Sequence, residues 1–186
     1  MSEKNNLHVF RLDKIPEGSR LERYLRELPE SIKELKTFGL FVWRVFSECQ
    51  DFVSQNYGSI DLPQLTLKII PTNERFKLEE QRASERAESK EVAKGPVSAF
   101  VIGNRYNATV VLNLERFLES LRRGGYPTLL LFLVETFMQE ILHSIFPEKY
   151  EQEVWKLQCG LVEPFLGIKL PKERWNLKAS DYYSKA

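Results

Sequence analysis

The spacing of apolar side chains changes several times along this chain, and each change predicts an element. Between residues 32 and 53, Ile32, Leu35, Phe38, Val42, Val45, Phe46, Cys49, Phe52 and Val53 recur at steps of three and four. That is the period of a helix with one buried face. Pro29 opens this helix, because a missing N–H costs nothing at the first helical position. The helix runs to about residue 57, with Gly58 as its closing residue. Core packing accounts for the stripe more simply than a groove for a partner helix. Ahead of it, Pro16-Glu17-Gly18-Ser19 reads as a turn, and Ser19 caps a short helix through Leu28. Period-two or β-rich runs predict strands at residues 7–12, 65–70, 97–102 and 109–112. The last two are joined by GNRYNA, a hairpin turn rich in Gly and Asn. Asn113 caps a helix to about Arg122, and Gly124-Gly125 breaks it.

The pattern then changes in kind. Residues 127–147 read PTLLLFLVETFMQEILHSIFP. Pro127 suits a helix start, and Pro147 cannot continue one. Residues 129–134 are apolar all round, which predicts a helix inside the core. Glu135, Gln139 and His143 follow at steps of four and so share one face, with Glu140 beside them. Such groups are costly to bury unless they are paired or bind something. After a tight turn at Pro147, a further helix spans about residues 150–166.

Gln139-Glu140-Ile141-Leu142-His143 differs at one position from H-E-x-x-H, in which two histidines one helical turn apart hold zinc and the glutamate is the general base. Here Gln139 replaces the first histidine. The chain resembles the zincin metallopeptidases, more specifically their minimal domains, over residues 95–166. NRYNATVVLNLERFLE is similar to the strand and helix that precede the active-site helix of that family. HSIFPEKYEQEVWKL is similar to the family's turn into a second helix that carries an acidic third ligand. The resemblance implies an α+β fold, with a small, mostly antiparallel sheet packed against long helices. It implies a zinc site built from His143, Gln139 and Glu151, with Glu140 as the base. It further implies that the strand at residues 109–112 pairs with an extended peptide substrate.

Pro147 comes only four residues after His143, so the start of the returning helix lies beside that histidine. This favours Glu151 as third ligand over Glu153, and over Glu163 further along. A zinc peptidase needs three protein ligands and an open fourth position. An amide oxygen is a weak substitute for imidazole at zinc, so Gln139 leaves the site incomplete. The second histidine, His8, lies near a strand and reads as structural. Two other readings compete with hydrolysis. An inactive relative could hold a peptide or protein partner in the same cleft, or Gln139 and His143 could be ordinary hydrogen-bonded groups on an amphipathic helix.

Composition narrows the field only slightly. Apolar residues at 42% and charged residues at 28% describe an ordinary globular chain, and 186 residues suffice for a single domain with a real core. A net charge of +1 excludes a global pull toward nucleic acid or acidic membrane. Two cysteines, Cys49 and Cys159, make no disulfide framework and suit a reducing compartment. The N-terminus has no apolar leader, and residues 129–134 are too short to cross a bilayer, so a cytoplasmic location is the expectation. Residues 72–94 hold twelve charged residues, six of each sign, and predict an exposed insertion, mobile or weakly helical. Arg82, Arg86, Lys90 and Lys94 would form a basic stripe on it, and residues 169–186 mix basic groups with Trp175, Tyr182 and Tyr183. Both features could meet nucleic acid. Balanced charge in the first and packing through Trp175 in the second favour the plainer reading.

Overall fold

Ser19 opens the described fold by accepting a hydrogen bond from the Glu22 N–H at 3.1 Å, while Glu22 Oε2 accepts from the Gly18 N–H at 2.6 Å. The structure, a computed structural model, describes residues 15–58, 64–86, 98–103 and 106–170. The strand expected at residues 7–12, His8, residues 87–94 and the tail from residue 171 lie outside them. The elements are α1 (Arg20–Ser31), α2 (Leu35–Asn56), β1 (Gln64–Ile70), α3 (Asn73–Arg86), β2 (Ala99–Gly103), β3 (Asn107–Asn113), α4 (Leu114–Ile145) and α5 (Glu151–Leu166). The fold is α+β, a small sheet packed against long helices.

Helix α1 corrects one expectation. Pro29 lies in its last turn and does not open α2; the chain breaks at residues 32–34 instead. An interior proline costs roughly 3 kcal/mol. Against this, Leu21, Tyr24 and Leu28 are all fully buried on one face, and each large apolar side chain buried is worth roughly 1.5–3 kcal/mol. Burial wins, so α1 continues past the proline. Helix α2 buries Phe38, Phe41, Val42, Val45, Phe46, Cys49 and Val53, largely the stripe read from spacing, whereas Leu35 is 68% exposed. Its C-terminus is closed by the Tyr57 N–H donating to the Val53 carbonyl at 3.0 Å, and Gly58 does not take a left-handed conformation.

The sheet has the order β1-β3-β2, with β1 parallel and β2 antiparallel to β3. It is therefore mixed, and β3 is its central strand. Strand β3 is paired on both sides, so it cannot add an extended peptide as the family resemblance implied. Among the described residues the outer edges belong to β1 and β2. Side-chain alternation splits the sheet into two faces. Ala108, Val110 and Leu112, with Leu65 and Ala99, join the main core of α1, α2, α4 and α5. Val111 and Ile70 face the other way, where Phe76 of α3 packs on them with Phe100 and Ile102. The charged stretch is thus helical over α3 and anchored by Phe76, which is 2% exposed.

Helix α4 is broken at Gly125, whose φ of 76° and ψ of −173° are non-helical. Only glycine adopts that backbone without strain. The break and the restart before Pro127 fall where the sequence placed them. By length and composition α4 could span a membrane, yet 67% of its most apolar window is buried inside the protein, as befits the central helix of a core.

Candidate functional site

Asn113 fixes the start of the helix that carries the candidate residues. It ends β3, and its side chain caps α4 by accepting from the Arg116 N–H at 3.4 Å. The same amide donates to Asn73 Oδ1 at 2.7 Å, and Glu115 Oε2 accepts from the Asn73 N–H at 2.7 Å. The starts of α3 and α4 are thereby tied to the end of the central strand. From the break at Gly125, α4 runs on to Ile145; taken whole, the helix packs against β2 and β3 of the sheet and against α1, α2 and α5.

In this second half Leu133, Val134, Phe137, Met138, Ile141 and Leu142 are at most 1% exposed. Gln139, Glu140 and His143 are half-buried, so they lie along the one side of α4 that the core leaves partly open. Glu135 is 5% exposed and Thr136 7%, extending the polar stripe inward by one turn. Glu135, Gln139, Glu140 and His143 are each engaged in a polar, ionic or ring contact, which offsets the cost of burying them. His143 stands in the last turn of α4, where the free carbonyl ends of a helix favour a cation. The stripe can therefore offer one imidazole, one amide oxygen and one carboxylate proton acceptor within a single turn and a half.

The chain reverses within a short turn. The Phe146 N–H donates to the Leu142 carbonyl at 2.8 Å and the Lys149 N–H to the Phe146 carbonyl at 3.1 Å, and α5 then packs back on α4. Glu151 is the first residue of α5, as the hairpin reading required; its side chain lies outside what the structure describes. The two alternatives have other partners. Glu153 Oε2 accepts from the Tyr150 N–H at 3.0 Å and closes the N-terminus of α5. Glu163 Oε1 accepts from the Leu170 N–H at 2.7 Å and holds the chain that leaves α5. At a rise of about 1.5 Å per residue, Glu163 also stands some three turns from the α4–α5 turn. Among the described residues no three His, Cys, Asp or Glu side chains come together as a metal-holding group. On the stripe itself, His143 is the single imidazole donor.

Two further features carry polar chemistry but include none of the candidate residues. A shallow open depression on α3 is lined by Glu74, Lys77, Leu78, Glu80 and Gln81. Burial raises the Glu80 carboxyl there, and Lys77 lowers it. The second feature joins α1, α2 and α5. Glu48 accepts from Tyr24 Oη and from Arg23, both at 2.5 Å, and pairs with Arg20 Nε at 3.4 Å. Arg20 also donates to the Phe165 carbonyl at 2.7 Å, with its guanidinium 4.2 Å from the Phe165 ring centre. Sequence spacing gives no sign of this network, because its members come from three distant helices. Compared with protein-family models, curated proteins and solved structures, the chain matches none of them.

Proposed function

We propose that the chain is a zincin-like metallopeptidase homologue with an incomplete metal site. The observation that carries this reading is the half-open face of Gln139, Glu140 and His143, which follows a stretch of α4, residues 128–138, buried at every position but Phe132. A core helix gains nothing in packing from three such groups in register, whereas a site one residue from H-E-x-x-H needs them there. In this reading His143 is the principal donor, Gln139 and Glu151 are the weak ones, and Glu140 is the base. When bound, zinc supplies Lewis acidity and a water of lowered pKa. The test is cleavage of a mixed peptide library with added zinc. Any cleavage must vanish in Glu140→Gln while zinc affinity is kept. Cleavage that survives the substitution would remove Glu140 from its role.

A second reading, a module that holds an extended peptide without cutting it, is supported by strand β2. Its outer edge pairs with no other described strand, and α4 packs against it. Main-chain pairing at such an edge is a general way to hold a peptide. Saturable binding of peptides without cleavage, abolished by N-methylation at alternate residues, selects this second form.

A further inference from the structure

We draw no further inference here: the strongest candidate, the exposed apolar face of α2 formed by Leu35, Leu40 and Trp43 around Gly39, carries nothing because no feature of the structure shows what covers it.

Discussion

Gln158 illustrates how a single atom can set a local cost. It lies on the buried seam of α5, 1% exposed, and its Oε1 accepts no hydrogen bond from the described residues. An unpaired buried acceptor costs about 1–3 kcal/mol, whereas an apolar side chain of the same length incurs no such cost. Gln158→Met is therefore predicted to raise stability by about 1 kcal/mol in urea unfolding. A clear loss would show that the amide is held by a partner. Cys49 and Tyr24 provide a pH-dependent case. Burial pushes the Cys49 thiol well up, with Glu48 adding to the effect and Arg20 opposing it. Burial also raises Tyr24, helped by its hydrogen bond to Glu48. Groups raised in the folded state give stability that is intact below their unfolded values and lost as pH rises above them. Those values are about 8.5 for a thiol and about 10 for a phenol. Stability should thus fall from about pH 8.5 upward and more steeply above about pH 10. Cys49→Ala should flatten the first part of that slope, and an unchanged slope would contradict the assignment.

At the scale of elements, α3 is tethered at its start by Asn73 and held along its length on the sheet chiefly by one side chain. Its only buried aromatic, Phe76, sits with its ring centre 5.1 Å from that of Phe100. The remaining ties include the Lys68–Glu79 pair at 3.2 Å, which is largely exposed. Such a pair is worth about 0–1 kcal/mol, while losing a buried Phe costs about 3 kcal/mol or more. Phe76→Ala is therefore predicted to free α3 from the sheet while α4 stays protected in hydrogen exchange. Equal loss of protection in α4 would mean that α3 is no separate unit. The same scale shows why some boundaries were legible and others were not. Ser19 and Gly125 act through local chemistry, a side-chain cap and a glycine backbone, which sequence reports directly. Pro29 does not open a helix because its local preference is outweighed by the burial of Leu21, Tyr24 and Leu28, which is a tertiary effect. Phe76 gives no sign of burial in the sequence because it, Leu78 and Val92 are scattered among charges without a period.

Over the whole molecule, the sheet order was the least legible feature. Alternation in β3 separates Val110 and Leu112 from Val111, and the Gly- and Asn-rich turn joins β2 to β3. Neither signal reveals that β1 pairs in parallel on the far side of β3, across the intervening α3. That pairing makes β3 central and moves any free edge beside α4 to β2. The candidate stripe was legible because helical spacing alone puts Gln139 and His143 on one face. The short step from His143 to Pro147 likewise made the return of α5 and the place of Glu151 at its start legible. The central claim concerns that stripe, and zinc titration of the native chain beside Gln139→His tests it most directly. Groups that only hydrogen-bond to a metal's ligands are worth roughly 10–100-fold in metal affinity, so restoring an imidazole that binds the metal directly should tighten zinc binding by about 100-fold or more. The native chain should bind zinc weakly, Gln139→His should hold one zinc tightly, and adding His143→Ala should release that zinc. Equal affinity in the two proteins, or no zinc in either, would contradict the claim.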